Sequence, residues 1–302
     1  MKVNLDCIPC FMRQALEAAR KATDDEKLQA EVLREVSMLM SSLSYTHTPP
    51  EIAHKVHAIV RDVTGNPDPY RQIKEDDNKL ALSMYPWLKE LVEKSDDRLH
   101  TAVKLAAAGN IIDYGVSHEF DVTDTIKTVL EKDFAVDRYA QFKKDLSDTG
   151  NIVYLADNAG ELVFDKLLIE ELGDRDITLV VKGGPIINDA TIDDVRSCSL
   201  EDIVTIDCIG NGTPGTGCER TDPKFTSKLR SADLVLSKGQ GNYEGLNSEG
   251  YIYFLLMAKC PLIARNIGVE KGDIVLCGGE RKRSTYTVPF PLGGLVFRLE
   301  WT

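Results

Sequence analysis

Long apolar runs are missing from this chain. Nothing in its 302 residues approaches the roughly 20 consecutive apolar positions that a membrane helix needs. The opening Met1-Lys2-Val3-Asn4-Leu5-Asp6 lacks the apolar segment of a secretory signal, so the expected location is the cytoplasm. An excess of positive charge is missing too, because the formal net charge is −12. Phosphate backbones are held mainly through Lys and Arg, so nucleic acid is not an expected partner. A small anionic substrate stays compatible, since a metal and a few lysines can make one cleft locally positive. Cysteine is sparse and odd in number, seven in all and five of them widely scattered, which excludes a disulfide scaffold. No Gly-Lys-Ser/Thr closes a glycine run, so there is no Walker A loop. Internal repeats and low-complexity segments are absent.

What is present reads as a soluble globular protein, with 43% hydrophobic and 28% charged residues. The first part is helical. Ile8, Phe11, Met12, Ala15, Leu16 and Ala19 recur at helical spacing, and Leu28, Val32, Leu33, Val36, Leu39 and Met40 form a second stripe. Thr48-Pro49-Pro50-Glu51 starts a third helix that runs to Gly65. A charged helix over 71–94 is expected to break or bend near Pro86. Another helix spans about 97–108. From Gly150 onward, short β-branched runs alternate with helical segments. The expected strands are 152–156, 177–181, 203–206, 234–237, 262–264 and 274–277. Such alternation predicts an α/β fold with a parallel sheet covered by helices on both faces. The expected division is a helical domain over 1–108, a helical linking region over 109–149 and an α/β domain over 150–302.

The chemistry gathers in the turns after the strands. Asp157-Asn158-Ala159-Gly160-Glu161 follows the first, and no Gly-x-Gly-x-x-Gly turn stands there. Lys182-Gly183-Gly184 leads to Asn188-Asp189-Ala190-Thr191 after the second. Asp207 opens a glycine-rich stretch over 207–217 after the third, and Lys238-Gly239-Gln240-Gly241-Asn242 follows the fourth. Open parallel sheets bind ligands beyond the carboxyl ends of their strands. Oxygen donors there suit a hard divalent cation. Lysines neutralise phosphate, and glycines let backbone N–H groups approach an anion. Taken singly, each feature has a plainer reading: Asp157 as a helix cap, Asn188 to Thr191 as a second cap, a flexible glycine loop, solvated lysines. Their coincidence on one sheet edge favours a phosphate and metal site. A second polar cluster, Asn110 and Asp113 after Gly109, reads equally as part of the cleft or as a capped turn. Cys7-Ile8-Pro9-Cys10 fits a redox pair, half of a metal site or two core residues. At a helix N-terminus, a lowered Cys7 pKa is expected.

Together, Cys7-x-x-Cys10, Gly109-Asn110-x-x-Asp113, Asp157-Asn158-Ala-Gly-Glu161, Lys182 with Asn188-Asp189, and Lys238-Gly-x-Gly-Asn242-Tyr243 resemble the DUF89 family of metal-dependent damage-control phosphatases. The likeness spans essentially the whole chain, and its N-terminal Cys-x-x-Cys resembles the archaeal and bacterial subfamily. It implies a helical domain packed on a Rossmann-like, doubly wound and mainly parallel sheet. It also implies a divalent cation (Mn, Mg, Co or Ni) on Asp157, Asn158 and Asp189. Lys238 matches the family's phosphate-binding lysine, with Asn242 nearby, and Lys182, Asn110 and Asp113 join the substrate side. The implied activity is hydrolysis of phosphate esters on small metabolites such as sugar phosphates, phosphopantetheine derivatives or damaged nucleotides.

On this reading the metal and Lys238 stabilise the transferring phosphoryl group. The attacking group is a metal-activated water or Asp157 itself. Two rivals stand beside it. One is a protein carboxyl methyltransferase using S-adenosylmethionine, disfavoured because Asp157-Asn158 occupies the turn where a methyl donor is usually held. The other is a non-catalytic metabolite- or metal-binding protein, for instance a redox sensor working through Cys7 and Cys10. The sequence sets no oligomeric state.

Overall fold

Helical spacing in the first hundred residues becomes five helices: α1 (Cys7–Ala22), α2 (Glu26–Ser41), α3 (Pro49–Thr64), α4 (Arg71–Glu93) and α5 (Arg98–Ala108). The structure, a computed structural model, describes residues 1–109, 122–210 and 223–280. Local chemistry sets the helix ends. The Asp25 side chain accepts from the Lys27 N–H and caps α2. The Thr48 N–H donates to Glu51 Oε2 (2.6 Å) at the start of α3, and Gly65 ends that helix at φ 71°. Of the two expected outcomes at Pro86, a break does not occur: α4 runs on through it. The carbonyl that loses its bond to Pro86 belongs to Leu82, an exposed residue, so water can satisfy it.

The remaining elements are α6 (Val122–Glu131), β1 (Val136–Asp137), α7 (Tyr139–Leu146), β2 (Asn151–Leu155), α8 (Leu162–Leu172), β3 (Asp176–Lys182), α9 (Ile192–Ser197) and β4 (Thr205–Ile209). Then follow α10 (Pro223–Ser231), β5 (Leu234–Lys238), α11 (Gln240–Leu246), β6 (Tyr253–Met257), α12 (Pro261–Ile267) and β7 (Ile274–Gly278). The strand order is β1-β7-β6-β5-β2-β3-β4. All neighbours are parallel except β6 and β7, which are antiparallel. This is the expected α/β architecture with a mainly parallel sheet. Among the described residues, no helix is long and apolar enough to cross a membrane.

Three local expectations are corrected. Residues 262–264 lie in α12, not in a strand; Pro261 stands at the first helical position, where its missing N–H costs nothing. The strand there is β6, whose Tyr253-Phe254-Leu255-Leu256-Met257 has no β-branched residue to announce it. Asp207 sits inside β4 rather than in the turn after it. Because β4 is an edge strand, Asp207 can reach outward to pair with Lys228 of α10. The segment expected to be a helical link also supplies β1, which pairs with β7.

Each central strand faces two cores. Ile152 and Tyr154 of β2 point into one, Val153 and Leu155 into the other, as the two-residue period of a strand requires. The first core is covered by α4, α5 and α8, the second by α10, α11 and α12. Among the described residues, α1 to α3 enclose a separate core around Phe11, Val32, Val36, Ile52 and Val56. Thus α4 and α5 belong to the sheet's own cover, although they precede it in sequence. Ala102, Ala106, Ala107 and Ala108 on α5 are fully buried. At its end, a Cβ on Gly109 would come within 3.0 Å of Phe164 on α8, so small residues let the two helices close up.

Candidate active site

From β2 the chain crosses by α8 to β3 and on to β4, then returns to the other side of β2 as β5. The strand order reverses at β2, and the crevice beyond its carboxyl end is where such sheets bind ligands. The residues at this position are Asp157 after β2, Lys182 at the end of β3, and Lys238 with Gly239 at the end of β5.

The turn after β2 pairs with the loop after β3. The Ala159 N–H donates to the Asn188 carbonyl (2.9 Å), and the Ala190 N–H donates to the Asp157 carbonyl (2.8 Å). Asn158 and Asp189 are therefore directly opposed in an antiparallel bridge. This is the narrow type of pair, with Cα atoms about 4.5 Å apart and both side chains on one face. Two residues 31 positions apart are thereby made neighbours, and both are buried. Lys182 is buried beside them, its Nζ 4.0 Å from Asp189 Oδ2. Its backbone N–H donates to the Ala190 carbonyl (2.9 Å), which ties the loop back to β3. The loop turns on Ile187, whose φ of 46° is rare for a β-branched residue. Holding it there costs about 1–3 kcal/mol, which the surrounding contacts must supply.

Hydrogen bonding orients the Asn158 amide. Its Nδ2 donates to Glu161 Oε1 (2.8 Å) and approaches Asp157 Oδ2 (3.3 Å). Both acceptors are carboxylates, so only the NH₂ end can face them. The carbonyl oxygen Oδ1 is turned away from both, free to serve as a ligand. The Asp157 carboxylate lies over Gly239, where a Cβ would fall 1.8 Å from Oδ2. Gly239 also holds φ 80° and ψ 164°, a region essentially reserved for glycine. Both features make glycine the only residue that fits.

Lys238 is the last residue of β5. It is fully buried, and its Nζ donates to Asp165 Oδ1 (2.7 Å) and Glu161 Oε2 (3.1 Å) of the α8 region. The Tyr154 hydroxyl donates to the same Asp165 oxygen (2.7 Å). Burial alone would discharge Lys238, but the charges of Asp165 and Glu161 raise its pKa instead. Burial pushes the Asp165 carboxyl up, opposed by Lys238. The lysine thus sits behind Asn158, joined to it through Glu161. Asn242 is likewise spent on the backbone: its Nδ2 donates to the carbonyls of Ala156 (3.0 Å) and Lys238 (2.9 Å), clamping α11 to the ends of β2 and β5.

Asn110, Asp113 and the glycines after Gly210 lie outside the described residues. Cys7 is the first residue of α1, and burial pushes its thiol pKa up, not down as a helix N-terminus alone would. Cys10 is raised for the same reason. Both thiols feel Cys260 and Glu244, neighbours that no local spacing reveals. Among the described residues, no three His, Cys, Asp or Glu side chains form a metal-holding group. The Asp157, Asn158 and Asp189 set is a different case, with two carboxylates and an amide. Sequence reading missed Asp165, quoted Glu161 without giving it a role, and read Gly239 only as a glycine that admits an anion. The available signal was two acids, Glu161 and Asp165, four residues apart among the apolar residues Leu162, Val163 and Phe164 that open α8.

Residues 3–275 match the family described as the damage-control phosphatase ARMT1-like domain. A protein of Archaeoglobus fulgidus named damage-control phosphatase is 37% identical over 287 residues, covering 91% of this chain and 98% of that one. A damage-control phosphatase of Pyrococcus horikoshii is 31% identical over 282 residues, covering 91% and 97%. An uncharacterised protein of Methanocaldococcus jannaschii is 35% identical over 289 residues, covering 91% and 95%. The crystal structure of a DUF89 family protein from Pyrococcus horikoshii superposes with a TM-score of 0.84 at 29% identity, covering 93% of this chain and all of that one. With its helical N-terminal region, its mainly parallel seven-stranded sheet and a match over nearly its whole length, the chain belongs to the DUF89 family of ARMT1-like damage-control phosphatase domains.

Proposed function

We propose that this chain is a metal-dependent phosphatase that hydrolyses phosphate monoesters of small metabolites, in a house-cleaning role. The relatives named damage-control phosphatases support the phosphatase part of this reading. The observation that carries the metal part is the clasp between the turn after β2 and the loop after β3, which opposes Asn158 and Asp189 beside Asp157.

The donor set fits a hard divalent cation. Asp157 and Asp189 offer carboxylate oxygens, and the Asn158 amide presents its oxygen because its nitrogen is engaged by Glu161. When bound, such an ion supplies positive charge to the phosphoryl oxygens and activates water. Lys182, at the end of β3 and next to Asp189, is the lysine we assign to the substrate phosphate. The N-terminal end of α8 adds a favourable field for an anion. Lys238 acts one layer back, holding Glu161 and through it the Asn158 amide. Sugar phosphates, phosphopantetheine-like esters and damaged nucleotides are the substrate classes to test.

The test is a phosphatase assay of metal-stripped protein on an aryl phosphate and a metabolite panel, with Mg²⁺, Mn²⁺, Co²⁺ or Ni²⁺ restored in turn. Activity should require one of these ions. It should fall by about 10²–10³-fold in Asp157→Ala, the scale of losing one charge-stabilising group. A folded Asp157→Ala protein with full turnover, or unchanged turnover without metal, would refute the proposal.

A further inference from the structure

Asp194 of α9 lies in a buried polar cluster away from the crevice. It forms a capping box, its Oδ2 accepting from the Thr191 N–H (2.9 Å) and the Thr191 hydroxyl (2.7 Å). Most capping acids are solvated. This one is 6% exposed and takes two further partners from α4, more than a hundred residues earlier. Asn78 Nδ2 donates to Asp194 Oδ1 (2.9 Å), and Lys74 Nζ lies 3.6 Å from both Asp194 Oδ2 and Asp68 Oδ2. Asn78 and Lys74 are themselves 4% and 5% exposed.

The cluster is joined to the crevice by very little chain. Thr191 is bridged to Lys182 on β3, and Asp189 stands two residues before it, opposite Asn158. A buried carboxylate that loses a partner must move or be resolvated. Movement of Asp194 would be felt first at Thr191 and then at Asp189. A solvated cap would hold α9 equally well, so capping alone does not call for the two partners from α4.

We propose that Asn78 and Lys74 are positioning residues, which fix the Asp189 carboxylate through Asp194 and Thr191 and so make α4 part of the metal site's support. This rests on the reading of Asp189 as a ligand. Groups that hydrogen-bond a metal ligand directly typically contribute about 10–100-fold in metal affinity, and support acting at one remove is expected at the low end of that range.

The test compares wild type, Asn78→Ala, Asn78→Asp and, as a control, Arg98→Ala, which cuts the surface pair between Arg98 and Glu171 far from the cluster. Two quantities are read on metal-stripped full-length protein: direct Mn²⁺ affinity by calorimetry, and hydrogen exchange of the amides of residues 189–191. Asn78→Ala should bind Mn²⁺ about 10-fold more weakly and exchange these amides faster. Asn78→Asp, which sets a like charge against Asp194, should be worse on both. Arg98→Ala should match wild type. Wild-type affinity and wild-type exchange at these amides in Asn78→Ala would overturn the proposal, even if its melting temperature fell. If wild type itself bound no Mn²⁺ while the amides still loosened in Asn78→Ala, the positioning would stand and the metal reading of Asp189 would fail.

Discussion

The Asn158 side chain donates 2.8 Å to Glu161, and this bond decides which end of the amide faces the crevice. Without it, only the longer contact to Asp157 (3.3 Å) would distinguish nitrogen from oxygen, and only the oxygen can bind a cation. Glu161 is held in turn by Lys238. Glu161→Leu, which leaves no acceptor for the Asn158 amide, should therefore weaken Mn²⁺ binding by about 10–100-fold. Calorimetry on metal-stripped protein would read this, and unchanged affinity would show that Asn158 is oriented by something else.

Lys238→Met removes the cation from between two buried carboxylates. Breaking a buried pair from one side typically costs about 3–5 kcal/mol. Urea unfolding should show a loss of that order. A direct phosphate-binding lysine at this position would instead leave stability near wild type and raise KM.

Gly239→Ala should damage the site more than the fold. The new methyl group would overlap the Asp157 carboxylate, and the backbone would be strained by about 1–3 kcal/mol. The expected result is a folded protein with most of its phosphatase activity lost. Activity within a factor of two of wild type would mean that Asp157 can shift without consequence.

His57 should make stability depend on pH. It is buried in α3, and burial, with smaller contributions from Arg61 and His54, lowers its pKa to about 4. The unfolded chain takes up this proton near the ordinary value of 6.5, so between those values it binds more protons than the folded state. Stability from this group is thus complete above pH 6.5 and is lost as pH falls toward 4. The loss attributable to His57 between pH 7 and pH 5 is about 2 kcal/mol. His57→Gln should flatten that part of the acid limb in denaturant titrations. An unchanged slope would show that His57 is protonated in the folded protein.

The sheet was legible where β-branched residues cluster, as in Ile152-Val153 and Ile177-Thr178 through Val181. It was not legible at β6, where Leu255-Leu256-Met257 suits a helix equally well and only the neighbours β5 and β7 decide. The position of Asp157 and Asn158 at the sheet's crevice followed from the strand–turn–helix pattern. The opposition of Asn158 and Asp189 did not, because it depends on how two loops pair. Lys238 shows the same limit. Its place at the carboxyl end of β5 was readable, but which way it reaches is set by Glu161 and Asp165 on another element.

The shared core beneath α4 and α5 has a practical consequence. A fragment starting at Gly150 would retain Asp157, Asn158 and Asp189 yet lose α4 and α5, which share a core with α8, leaving apolar residues of α8 such as Phe164 exposed to water. Cutting the chain where its pattern changes would yield an aggregating half rather than a minimal enzyme, and the helices written first are the roof under which the later strands assemble.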